Sequence, residues 1–188
     1  GLDYWIGLPA SLEPRVATLI PPPPEFLTMM ASLPPEVLLR RVISGPAGHF
    51  AYDARWNARA YHAAELPSSN GIGTAHALAR LYASLIGPVD GVRTLRDDIV
   101  AAACVVQSNG ADRVLLLETC FGTGFMRSPT VAAGAGPSAF GHGGAGGSVA
   151  FADPEVGISF TYLMNHLRFD LSGDPRNETL VRAVYDCL

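Results

Sequence analysis

The run from Phe140 to Asn165, FGHGGAGGSVAFADPEVGISFTYLMN, restricts the fold more than any other part of the chain. Two apolar stretches, SVAF and GISFTYLM, flank the turn composition Asp153-Pro154-Glu155-Val156-Gly157. That pattern predicts an antiparallel hairpin. Ahead of it His142 is followed by almost bare backbone, and six of the residues from 140 to 165 are glycine. A phosphate-cradling glycine loop opens a helix, whereas strands follow here, so GAGGS does not read as a nucleotide site. Ser148 has no G-x-S-x-G elbow around it and does not read as a nucleophile. What remains is a strand over 140–147 that carries one histidine and little else.

The rest of the chain supplies layers for such a sheet. Thr74 is placed to cap AHALARLYASLIG, where Ala75, Leu78, Leu81, Tyr82 and Leu85 recur at helical spacing and Gly87-Pro88 stops the run. Residues 94–107 predict a second helix capped by Thr94. DPRNETLVRAVYDCL predicts a closing amphipathic helix, with Asp174 as cap and Pro175 at the first helical position. PPEVLLRRVIS predicts a short helix. IPPPPEF predicts an extended connector, and residues 45–73 read as irregular. GLDYWIGLP predicts a short strand or tight segment with YWI buried, and DRVLLLE and CFGTGFMRS predict strands around a turn. No internal repeat is present. Helices, then an antiparallel sheet, then a packing helix make the fold class α+β. The division is a mostly helical and irregular part over 1–110, and strands with a closing helix over 111–188.

Composition narrows the chemistry. Hydrophobic residues make up 48% of the chain and charged residues 16%, which predicts apolar surface that something else covers, a partner or a second copy of this chain. The net charge of −4 argues against nucleic acid, and no apolar run reaches the ~18 residues of a membrane span. Cys104, Cys120 and Cys187 read as free thiols. Without CxxC or HxxxH spacing, neither a metal site nor a cofactor is expected. All 13 basic residues are arginine. The abundance of Ala, Gly, Pro and Arg points to a GC-rich bacterial genome, with a cytoplasmic or an envelope-associated location both open. The chain opens on GLDYWIGLP, with no Met and no signal pattern, and reads as beginning inside a domain.

Three segments carry a resemblance. LPSSNGIGTAHALARLYASL resembles the helix-entry segment of the serine β-lactamase-like superfamily. FGHGGAGGSVAFADPEVGISFTYLMN is similar to its third motif, the Lys-Thr-Gly box, with the hairpin that follows. GLDYWIGLP resembles a segment that follows the tyrosine motif in esterase-like members. The nearest branch is the carboxylesterases related to class C β-lactamases, the family VIII esterases. The resemblance covers nearly the whole chain. It implies a β-lactamase/transpeptidase-like fold and a two-lobed enzyme roughly twice this length. It also implies a serine and lysine in S-x-x-K and a tyrosine in Y-x-N or Y-x-S, all ahead of the GLD segment. With no lysine in the chain, no S-x-x-K exists here. Residues 1–188 therefore read as the C-terminal half of a serine ester hydrolase, inactive alone, whose partners are that N-terminal half and a small ester substrate.

By the same resemblance the Lys-Thr-Gly positions are His142, Gly143 and Gly144. His142 would be the polar catalytic group facing the nucleophile, and the Ala145 N–H would be one of two oxyanion donors. Gly143, Gly144 and Gly146 would let substrate lie against the strand, and residues 49–65 and 121–130 would form pocket walls. A lysine attracts a substrate carboxylate, whereas a histidine has a reference pKa of about 6.5, so this position favours small esters. The alternatives are a β-lactamase or DD-peptidase, and a non-catalytic binding or scaffold protein of the same fold. His49, His62, His76 and His166 read as structural or exposed, Asp153 and Glu155 as a solvated turn, and Ser68, Ser69 and Asn70 as helix capping.

Overall fold

The computed structural model describes residues 1–45, 48–168 and 173–188. Pro46 and Ala47, within the segment expected to be irregular, and residues 169–172, ahead of the closing helix, lie outside the described residues.

The first part is short elements pinned to one another. Strands β1 (Tyr4–Trp5) and β2 (Ile72–Gly73) pair antiparallel. The expected burial of YWI does not hold: Trp5 and Ile6 are 37% and 41% exposed, because a two-residue pairing covers little of either side chain. Helix α1 (Pro24–Ser32) occupies part of what reads as a proline connector. Pro24 sits at the first helical turn, where its missing N–H costs nothing and its fixed φ suits the helix. Helix α2 (Leu38–Ser44) starts after Pro34 and Pro35. Helix α3 (Arg59–Ala63) brings His62 inside, with Nδ1 2.8 Å from Glu13 Oε1.

Helix α4 (Ala75–Ile86) forms where the spacing places it, and Thr74 Oγ1 accepts from Ala77 N at 3.1 Å. Helix α5 (Asp97–Ala103) is shorter than the expected 94–107. Thr94 is not its cap: its N–H donates to Ser84 O and its hydroxyl bonds Ser84 Oγ, tying it to α4.

The sheet has six antiparallel strands in sequence order: β3 (Ser108–Ala111), β4 (Glu118–Phe121), β5 (Met126–Arg127), β6 (Phe140–Gly143), β7 (Val149–Asp153) and β8 (Ile158–Tyr162). DRVLLL is a turn ahead of β4 and not a strand, and only the Glu118 that follows it enters β4: Asp112 Oδ1 accepts from Val114 N and Leu115 N, and Leu116 has φ +61°. Successive residues of β7 serve opposite layers. Val149 and Phe151 join a core with Val181 of helix α6 (Pro175–Tyr185), and Ala152 joins Phe140, Leu85 and Val100 in a second core. The hairpin turn holds Gly157 at φ +70°. Asp174 caps α6, accepting from Arg176 N at 2.9 Å. Helices therefore lie on both faces of the sheet. Exposed apolar side chains occur in both parts of the chain, among them Met29, Val42 and Val92 in the first and Leu116, Leu180 and Leu188 in the second.

Candidate functional site

The site is built on the end of β6. Gly141 faces Phe151 across the pairing, and a Cβ there would overlap Ala150 O and the Phe151 backbone. Glycine is therefore required at this position for β6 and β7 to close. The next residue, His142, pairs with Ala150 and is exposed at the strand end. Its ring centroid lies 6.2 Å from that of Phe121, and its Nδ1 is 2.6 Å from Gly143 O. A carbonyl oxygen only accepts, so Nδ1 carries the proton. In the neutral ring Nε2 is then the acceptor and points away from the backbone bond.

The strand ends at Gly143, four residues short of the expected 140–147, because the chain reverses at once. Gly144 N donates to Ser148 O at 2.6 Å and Gly147 N to Gly144 O at 2.9 Å. Ala145 stands at the tip of that turn, exposed, and its N–H has no hydrogen-bond partner among the described residues. The glycines divide by cause. Gly143 and Gly144 have open space where a Cβ would be, with nothing nearer than 3.6 Å. Gly146 is buried, and a Cβ there would overlap Leu167. Gly147 holds φ +106°, and its Cβ would overlap the Asp174 carboxylate. Room for a Cβ thus exists at Gly143 and Gly144, while Gly146 and Gly147 are tied to packing.

The turn faces an open concavity of about 1590 Å³, lined by His142, Gly143, Gly144 and Ala145. Both segments expected as walls contribute: Phe50, Tyr52, Trp56 and Tyr61 from one, Phe121, Met126 and Thr130 from the other. Trp56 anchors an aromatic wall, stacked with Phe50 at 6.2 Å and edge-on to Tyr61 at 5.1 Å. Burial pushes the Tyr52 hydroxyl pKa up. Burial, with Tyr4 nearby, pushes that of Tyr82 up to about 12, so both lining hydroxyls stay protonated at neutral pH.

Other singled-out residues take structural places. Ser68 and Ser69 bond each other. Asn70 is buried and ties its loop, accepting from Leu66 N and donating to Tyr61 O. Asp153 is not in a solvated turn: it is 1% exposed and accepts from Ser138 Oγ, Glu155 N and Tyr185 Oη. The three cysteines are free, and burial raises the Cys104 pKa. Among the described residues no three His, Cys, Asp or Glu gather to hold a metal, and no helix is long and apolar enough to cross a membrane. Sequence reasoning missed Asn177, whose buried amide reaches the glycine turn. Its only sequence signal is its place one turn into a helix capped by Asp174.

The β-lactamase family profile matches residues 2–184. The esterase/beta-lactamase LipL of Mycobacterium tuberculosis is 37% identical over 107 residues, 55% of this chain and 24% of that protein. Among solved structures, a penicillin-binding protein homolog from Caulobacter crescentus is 40% identical with a TM-score of 0.77, over 100% of this chain and 49% of the other. A family VIII carboxylesterase is 32% identical with a TM-score of 0.78, over 99% of this chain and 47% of the other. EstA from Arthrobacter nitroguajacolicus Rue61a is 30% identical with a TM-score of 0.74, over 99% and 50%. The chain thus spans about half the length of these solved relatives and a quarter of the curated one.

Proposed function

The chain belongs to the β-lactamase family, and from that premise we propose that it forms the sheet side of a serine carboxylesterase acting on short-chain esters. The fold is that of a β-lactamase-like hydrolase, α+β with an antiparallel sheet, and relatives carry the names esterase and carboxylesterase. The observation that carries the finer reading is His142: an uncharged-capable ring stands at the cleft end of β6, where a lysine would draw in a carboxylate.

In this reading the nucleophilic serine, a lysine and a tyrosine come from outside residues 1–188. The serine oxygen attacks the ester carbonyl, and its proton passes to the lysine–tyrosine pair. The carbonyl oxygen becomes an oxyanion, accepting from the Ala145 N–H and from the nucleophile's own N–H. Fixed donors of this kind contribute about 3–4 kcal/mol each to the barrier reduction. The C–O bond then breaks, and the alkoxide leaves with the proton returned from the pair. Water attacks the acyl-serine and gives a proton to the same pair, which returns it to the serine oxygen as the C–O bond breaks and the acid leaves. His142 Nε2 accepts a hydrogen bond from the tyrosine or from a substrate hydroxyl. Gly143 and Gly144 let the ester lie flat on the strand end, and the Trp56 wall limits the length of the acyl group.

The test is turnover by the complete protein on p-nitrophenyl acetate, butyrate and decanoate, beside nitrocefin. Acetate and butyrate esters are expected to be preferred, with nitrocefin far slower. Nitrocefin hydrolysed faster than the acetate ester overturns the esterase assignment in favour of a β-lactamase. Ligand binding without turnover on any of these substrates assigns the cleft to binding alone.

A further inference from the structure

The turn that presents Ala145 is held from beneath by the first turn of α6. Asn177 is 8% exposed, and its Nδ2 donates to Gly147 O at 2.9 Å, a bond buried at both ends. One residue earlier, Arg176 lies against the same loop: Nη2 is 3.5 Å from Gly146 O and Nη1 donates to His166 O at 3.0 Å. Arg176 is itself fixed by Asp174, through Nε to Oδ1 at 2.9 Å and Nη2 to Oδ2 at 2.5 Å. Arg168 N donates to Gly146 O at 3.0 Å. Gly147, with no Cβ, lets the loop drop onto the Asp174 carboxylate.

Buried carbonyls need partners, and losing one leaves an unsatisfied acceptor that the loop must move to relieve. The carbonyls of Gly146 and Gly147 lie one and two residues past Ala145. Two bonds inside the turn fix only its width, Gly144 N to Ser148 O and Gly147 N to Gly144 O. Beyond the β6–β7 pairing at its two ends, the contacts from α6 and from Arg168 N tie the far side of the turn to the rest of the molecule. Misplacing a reacting donor by about 1 Å costs on the order of 100-fold in rate, so the support beneath such a donor has kinetic consequences.

We infer that Asn177, set beside the Asp174–Arg176 pair, is a positioning residue that holds the glycine turn and with it the Ala145 N–H. The inference rests on the reading of Ala145 as an oxyanion donor. Asn177 itself touches no substrate. It acts through Gly147, and its loss lets the tip of the turn drift away from the developing oxyanion.

The test uses the complete protein. Asn177→Leu keeps the approximate size of the side chain and removes the donor. The expected result is a fall in kcat on p-nitrophenyl butyrate of about 10- to 100-fold with little change in KM. Phosphonylation by a p-nitrophenyl phosphonate should slow in parallel, because it forms the same tetrahedral oxyanion geometry. Thr179→Gly, an exposed change on the same helix, lowers helix propensity, reports a general weakening of α6 and should leave kcat as it is. If Asn177→Leu does not fold, Asn177→Ser, whose hydroxyl is too short to reach Gly147 O, carries the same expectation. Unchanged kcat and phosphonylation in the folded variant overturn the inference, as does a loss that Thr179→Gly reproduces. A separate variant replaces the 145 amide by an ester, with lactic acid in place of alanine. If that leaves kcat intact, the oxyanion reading itself fails. If it lowers kcat while Asn177→Leu does not, only the positioning role fails.

Discussion

Tyr185 donates its hydroxyl to Asp153 Oδ2 at 2.5 Å, joining the end of α6 to the last residue of β7. Asp153 is buried, and Ser138 Oγ and Glu155 N serve its other oxygen. Leaving one partner of a buried hydrogen bond unsatisfied costs about 1–3 kcal/mol, so Tyr185→Phe should lower the unfolding free energy by about that amount. Denaturant unfolding checks it, and a variant as stable as the parent contradicts it. The pH dependence follows from the same geometry. Burial, then the bond to Asp153, pushes the Tyr185 pKa up to about 12, and burial does the same for Tyr82. A raised folded-state pKa means the contribution is complete below the unfolded value of about 10. Stability should fall as the pH rises from there through the folded values, and Tyr185→Phe should flatten that fall.

Asp174 governs the acid side. Hydrogen bonds from Arg176, side chain first and then backbone, hold its carboxyl below the usual range. A depressed folded pKa gives stability that is present above the unfolded value of about 3.9 and lost as the pH drops through the folded one. Asp174→Asn should therefore be less stable than the parent at pH 7 and should show a weaker decline on acidification. Thermal melts across that range decide it; parallel pH profiles for the two proteins contradict it.

The parts of the fold that were legible are the ones whose determinants are local. Thr74 and Asp174 cap the helices expected of them because an N-cap acts within three residues. The β7–β8 hairpin follows from two apolar runs and a glycine at positive φ. The sequence pattern misleads where a side chain bonds the backbone against the apolar pattern or where a distant partner decides. Val114, Leu115 and Leu117 resemble a strand, yet Asp112 winds them into a turn. The polar SNGA segment becomes β3 because β4 pairs with it along its whole length. Thr94 resembles a cap but bonds Ser84 instead. At the site, His142 and the glycines were visible as a pattern. Asn177, 30 residues away in sequence from Gly147, was not, because only the folded chain brings its amide to that carbonyl.

Neighbouring glycines should respond to substitution in opposite ways. Gly141→Ala places a Cβ against Ala150 O and the Phe151 backbone, groups that cannot move without breaking the β6–β7 pairing. It should cost about 1–3 kcal/mol or more and yield little folded protein. Gly143→Ala has room, with only Val131 O at 3.7 Å, and should fold normally while ester turnover falls. Melting temperature and kcat, measured on both, separate the two causes. Normal folding of Gly141→Ala contradicts the packing argument.

His142 is exposed, and among the described residues its ring makes one backbone hydrogen bond, to Gly143 O. In the complete protein His142→Ala should shift stability by less than about 1 kcal/mol while ester turnover drops by about 100-fold or more, the scale of a lost proton-transfer or polar catalytic group. Wild-type turnover in this variant would make His142 structural.

The central claim is that these residues serve an acyl-enzyme whose serine lies outside residues 1–188. Its most direct measurement is mass spectrometry of the complete protein, quenched during turnover of p-nitrophenyl butyrate and digested for peptide mapping. The account predicts one butyryl group, on the serine of an S-x-x-K sequence outside this segment, formed more slowly in the variant carrying an ester at position 145. A butyryl group on Ser148 or any other residue of this chain, or steady turnover with no covalent adduct at any serine, would contradict it.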